Sequence, residues 1–143
     1  MVTYYSDEIL KNVYEIKRCC NTIHSKKEHF HKELSMALIE EGTTSARFEN
    51  KAYDFGYKDF IIIPPGLVHS CNPADINRWK FTMLYIDDDW FCNTFRTGID
   101  GNILFYCKLK EDEYAEIKTL LSYLGKNTDH IDKESLLIEI TNR

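Results

Sequence analysis

His29-Phe30-His31-Lys32-Glu33 leads into an apolar run that closes at Gly42, and Asp59-Phe60-Ile61-Ile62-Ile63-Pro64-Pro65-Gly66-Leu67-Val68-His69 follows a few turns later. In the first stretch Leu34, Met36 and Leu38 recur at period two, which is the spacing of a strand. Ser35, Ala37 and Ile39 on the other face are small or apolar, so both faces read as covered. In the second stretch Phe60 to Ile63 reads as a buried strand stopped by two prolines, which donate no ladder hydrogen bond. The pair sets three imidazoles, His29, His31 and His69, on neighbouring strands of one small β structure, the pattern of a concave pocket.

Working outward, the turns have recognisable chemistry. Glu41-Gly42-Thr43-Thr44 and Gly56-Tyr57-Lys58-Asp59 are turn signals, and residues 46–48 and 52–55 flank Glu49-Asn50-Lys51 as a hairpin. Residues 79–86 alternate most clearly, with Trp79, Phe81, Met83 and Tyr85 on one face. Many short strands separated by Gly, Pro and Asp predict a sandwich or barrel.

The pattern changes after Lys110. Tyr114, Ile117, Leu121 and Leu124 fall at helical spacing behind an acidic first turn, and Gly125 ends that helix. Asp132 is placed to cap a second helix bearing Leu136, Leu137 and Ile140. That helix reaches Arg143 with no stop signal, so the natural chain is expected to continue.

Composition narrows the function. The chain has 143 residues, the size of one ordinary domain, and 43% hydrophobic residues are enough to fill a core. A net charge of -5 argues against direct nucleic-acid binding, which needs a basic face. No apolar run approaches the roughly 20 residues of a membrane span, and the acidic N-terminus is no secretion signal. Five cysteines without a C-x-x-C pair suggest neither a disulfide framework nor a zinc knuckle, and a reduced cytoplasmic protein is expected.

The ordered motifs resemble the cupin superfamily. His29, His31 and Gly42 match its first motif, and Gly56, Pro64, Gly66 and His69 its second. The family's glutamate ligand falls at Ser35 or Met36, so the carboxylate is missing. More narrowly, residues 25–143 resemble the N-terminal domain of AraC-type transcription regulators. The carriers are His29-x-His31, Glu40-Glu41-Gly42, the block from Asp59 to Ser70, Leu84 to Trp90 and the two trailing helices. The resemblance implies a mainly β fold with C-terminal α: a cupin-like double-stranded β-helix, or jelly-roll, barrel over residues 1–109, then two helices forming a dimerisation segment over residues 110–143. It also implies a DNA-binding module that this chain lacks.

Strand parity then nominates a pocket. If His29 and His31 point inward, so do Glu33, Ser35, Ala37, Ile39 and Glu41, while Leu34, Met36 and Leu38 face the helices. Similarity to AraC-type domains puts Trp79, Phe81 and Met83 on the inner face. The expected ligand-binding set is His29, His31, Glu41, His69, Trp79, Phe81 and Met83, although a stripe at period two can equally be plain core. Tyr114, Ile117, Leu121, Leu124, Leu136 and Ile140 are the expected dimer seam. The expected activity is recognition of a small-molecule effector, a sugar among the candidates, by a homodimer touching DNA only through the missing domain. No cofactor, membrane or catalytic role is expected. The alternative is a metal-dependent cupin isomerase or dioxygenase using His29, His31 and His69.

Overall fold

Alternating residues in the middle of the chain build two antiparallel sheets that face each other. The computed structural model describes residues 2–6, 13–21, 32–49, 51–95 and 104–125. Its strands are β1 (Val2–Ser6), β2 (Tyr14–Cys20), β3 (Leu34–Glu41), β4 (Thr43–Phe48), β5 (Lys51–Gly56), β6 (Asp59–Ile63), β7 (His69–Pro73), β8 (Lys80–Ile86) and β9 (Phe105–Lys108). A short helix α1 (Asp88–Phe95) follows β8, and α2 (Glu111–Leu124) follows β9. The larger sheet has the order β1-β2-β8-β3-β6-β9, and the smaller β5-β4-β7.

Strand β3 lies in the middle of the large sheet and is buried on both faces from Leu34 to Ile39. Its even residues, Leu34, Met36 and Leu38, join one apolar cluster with Leu84 and Ile86 of β8 and the buried face of α2. Its odd residues, Ala37 and Ile39, join a second cluster with Ile61, Ile63, Phe81 and Met83, closed from the small sheet by Ala46, Phe48 and Phe55. The period-two pattern thus splits one strand between two cores. Strand β4, outside the large sheet, shows plain alternation: Thr44, Ala46 and Phe48 are buried and their neighbours exposed.

Gly42 moves the chain from the large sheet into the small one. Its φ is +90°, and a Cβ there would lie 1.9 Å from the Arg78 carbonyl oxygen, so only glycine fits. The turn into β6 is fixed differently. The Gly56 N–H donates to Asp59 Oδ2 at 2.7 Å, and Lys108 Nζ lies 3.4 Å from the same carboxylate.

Helix α2 starts with Glu111, Asp112 and Glu113, and the Glu113 carboxylate accepts the Lys110 N–H at 2.9 Å. At its other end the Tyr14 hydroxyl donates to the Leu124 carbonyl at 2.7 Å. The Arg18 guanidinium packs on Gly125, where a Cβ would come within 2.4 Å of it, so a cation sits at the negative end of the helix. Tyr114, Ile117, Leu120, Leu121 and Leu124 are all buried on the large sheet.

Four residues of the expected dimer seam lie in this core. Tyr114, Ile117, Leu121 and Leu124 are covered by the chain's own strands, and a side chain already packed in a core is not open to a partner. Leu136 and Ile140, with the second helix, lie outside the described residues. Strands β1, β2 and β9 and helix α1 were not anticipated. The mainly β fold with a C-terminal helix was.

Candidate functional site: a cavity between the sheets

The inner faces of the two sheets enclose a cavity of about 40 Å³. From the large sheet β3 supplies Ala37 and Ile39, β6 supplies Ile61 and Ile63, and β8 supplies Phe81 and Met83. Thr44, Ala46 and Phe48 face them from β4, Phe55 from β5, and His69, Cys71 and Pro73 from β7, with Trp79 just before β8. Residues two apart recur in β3, β4, β6, β7 and β8 because alternate side chains share a face. A water needs about 10–15 Å³ of such space, whereas small-molecule sites span about 300–1,000 Å³. In this state the wall's own side chains nearly fill the barrel, and a ligand of more than a few atoms must displace some of them.

The polar groups of the wall are few, and each has a defined setting. His69 is 2% exposed. Its ring stacks on Phe48 with centroids 5.3 Å apart, and its Nδ1 lies 2.9 Å from the Leu67 carbonyl oxygen. A carbonyl only accepts, so Nδ1 carries the proton and Nε2 is the acceptor in the neutral ring. The Thr44 hydroxyl is buried and has no hydrogen-bond partner among the described residues. Burial pushes the Cys71 thiol up to about 11, against the pull of Lys17, so it stays protonated at neutral pH.

Trp79, Phe81 and Met83 come together as expected for one strand face. Trp79 and Phe81 have ring centroids 5.4 Å apart with planes at 49°. Glu41 does not join them. The β3–β8 register shifts between Ile39 and Glu41. This bulge adds Glu40 as an extra residue, breaks the parity that carried the expectation, and leaves Glu41 exposed and away from the cavity. Glu40 instead accepts the hydroxyl of Thr82 on β8 and lies 3.6 Å from Lys118 Nζ on α2. His29 and His31 fall outside the described residues. Among the described residues no group of three or more His, Cys, Asp or Glu side chains is arranged to hold a metal.

Residues 15–139 match the family model described as the AraC-like ligand binding domain. The chain belongs to that family. No curated protein matches it. Among solved structures, this AraC-like domain is similar to ToxT from Vibrio cholerae, with a TM-score of 0.57 at 9% identity over 99% of this chain and 53% of that one. It is similar to a Cupin 2 conserved barrel domain protein from Salinispora arenicola, with a TM-score of 0.53 at 16% identity over 67% and 83% of the two chains. It is also similar to Ylba from E. coli, with a TM-score of 0.54 at 14% identity over 77% and 44%. At such identities the likeness establishes the fold alone, a cupin barrel. The AraC-like domain spans about half the length of ToxT.

One residue beside the cavity was missed by sequence reasoning. Lys17 of β2 is 3% exposed, pairs across the ladder with Met83, and holds its Nζ 5.5 Å from the centroid of Phe81. Burial lowers its pKa, with Cys19 and then Cys71 opposing. The usable signal was the alternation of Tyr14 and Ile16, which sets Lys17 and Cys19 on the opposite face. Two consecutive basic residues, Lys17 and Arg18, obscured it. Among the described residues, no helix is long and apolar enough to cross a membrane.

Proposed function

We propose that this AraC-like domain is the effector-sensing part of a cytoplasmic transcription regulator, that it binds a small molecule in the barrel without catalysing a reaction, and that it pairs with a second copy. DNA contact would belong to another domain. The observation carrying this reading is that β3 and β8 serve two cores at once. Ala37, Ile39, Phe81 and Met83 look into the cavity, while Met36, Leu38, Leu84 and Ile86 on the same strands carry α2. A ligand that pushes the inner side chains apart also moves the seat of the helix. It shifts the regulator only by its difference in affinity for the two arrangements, and a hundredfold difference is worth about 2.7 kcal/mol.

The proposed contacts are His69, Trp79, Phe81 and Met83, together with His29 and His31. Leu136 and Ile140 remain the residues proposed for pairing, since the α2 stripe is occupied. A sugar gains little support from the described wall, where Thr44, His69, Cys71 and the Trp79 indole N–H are the side-chain groups able to hydrogen-bond.

The test is a melting-temperature screen of the chain against a metabolite library, read also by tryptophan emission. Trp90→Phe leaves Trp79 as the single reporter, because the chain has two tryptophans. A hit that raises the melting temperature and shifts Trp79 emission supports the sensor. Stoichiometric iron, manganese or zinc bound through His29, His31 and His69, with turnover of a substrate, would replace the sensor with an enzyme.

A further inference from the structure

Thr44 brings an unpaired polar group to the cavity wall. It belongs to the buried row of β4 with Ala46 and Phe48 and is 3% exposed. Across the two ladders it faces Phe55 on β5 and Pro73 on β7. Neither of those side chains has a polar atom, and the Thr44 hydroxyl has no hydrogen-bond partner among the described residues. The other buried hydroxyl in that condition, on Ser35, does not line the cavity.

A buried hydroxyl without a partner forgoes the hydrogen bonds that water would give it. A ligand atom restores one by accepting from it or donating to it, since a hydroxyl does both. The rest of the wall sets the character of that ligand. Among the described residues no Asp, Glu, Lys or Arg lines the cavity, and burial keeps the Cys71 thiol protonated at neutral pH. Lys17 lies beside the wall and not in it, with its ammonium near the Phe81 ring. A charged ligand would leave water with no counter-ion in contact, which is costly. Ile39, Ile61, Ile63 and Phe55 offer the body of a ligand only carbon.

We propose that the effector is an uncharged molecule, an aromatic or branched aliphatic body with one hydroxyl or carbonyl group, and that the Thr44 hydroxyl makes its anchoring hydrogen bond. The body takes the place of the Met83 side chain, whose flexible thioether repacks readily. This rests on the reading of the domain as an effector sensor.

The test is a double-mutant cycle between ligand and protein. Phenol, p-cresol and benzyl alcohol are titrated beside toluene, p-xylene and ethylbenzene, which carry a methyl in place of the hydroxyl. Binding is followed by melting temperature and tryptophan emission, and benzoate supplies the charged arm. In Thr44→Val at least one hydroxyl compound weakens relative to its methyl counterpart by about twofold to tenfold, the value of a neutral hydrogen bond. Thr44→Ser keeps the hydroxyl and keeps the wild-type ratio. Wild type binds benzoate about tenfold or more weakly than benzyl alcohol. Should Thr44→Val fail to fold, Thr44→Ala, which also removes the hydroxyl, takes its place. Benzoate binding as tightly as benzyl alcohol, or ratios that Thr44→Val leaves unchanged, overturns the proposal and leaves the sensor reading standing. Binding by none of these compounds, with a hit in the metabolite screen, overturns the ligand class alone; no binding in either experiment overturns both readings.

Discussion

Replacing Leu121 by alanine separates a core residue from a dimer contact. Leu121 is 2% exposed and packs in the cluster shared by α2, β3 and β8. The change removes about 0.8 kcal/mol per lost methylene and leaves a cavity, and buried leucine-to-alanine changes cost about 2–5 kcal/mol in total. Unfolding entropy near the midpoint is about 2.1 cal/mol/K per residue. Over 143 residues this gives about 0.3 kcal/mol/K, so a loss of about 3 kcal/mol lowers the melting temperature by about 10 °C. The assay is thermal melting by circular dichroism, with sedimentation velocity at the same concentration. Thr119→Ala, on the exposed face of α2, is the control and stays within about 0.5 kcal/mol. A Leu121→Ala protein that melts within about 2 °C of wild type but changes from dimer to monomer would refute the packing of this stripe on its own sheet.

Three further outcomes follow from the fold. Gly42→Ala forces a side chain onto the Arg78 carbonyl at φ +90° and costs about 2–6 kcal/mol in urea denaturation; a small loss would mean that the β3–β4 crossing takes another path. Ser35 is fully buried and its hydroxyl has no partner among the described residues, so Ser35→Ala leaves stability unchanged or raises it by up to about 1 kcal/mol; a clear loss would reveal a hydrogen bond. The Cys71 thiol titrates at 9.0 in the ordinary state and about 11 in the fold. Between those values the folded chain holds the extra proton, so this contribution is full below pH 9 and is lost as pH rises toward 11, by at most about 1.4 kcal/mol per pH unit. Cys71→Ala flattens that slope in urea midpoints measured from pH 8 to 11, and an unchanged slope would place the thiol in water.

What could be read locally was the type of element and its apolar side. Leu34, Met36 and Leu38 announced a strand, Tyr114 to Leu124 a helix, and Gly42 and Gly66 their turns, because period and backbone freedom are properties of a few consecutive residues. The family followed from the order of those short motifs. The site was legible only in part. His69, Trp79, Phe81 and Met83 kept strand parity and reached the cavity wall, whereas Glu41 lost it to a bulge one residue earlier.

Periodicity says which side of an element is apolar and is silent on what covers it. The α2 stripe would look the same against a partner or against its own sheet, and only the packing of Leu121 and Leu124 on β3 and β8 chose the sheet. Lys17 reads as a surface cation until the β2–β8 ladder places it opposite Met83. The size of the cavity belongs to the tertiary structure alone, since it is the space left when the side chains of two sheets meet. The amino-acid sequence by itself determined a β barrel with a helical tail and a family of ligand-binding domains. The tertiary structure decided that the helix stripe is core, that the barrel is nearly full, and that a buried ammonium stands beside the remaining space.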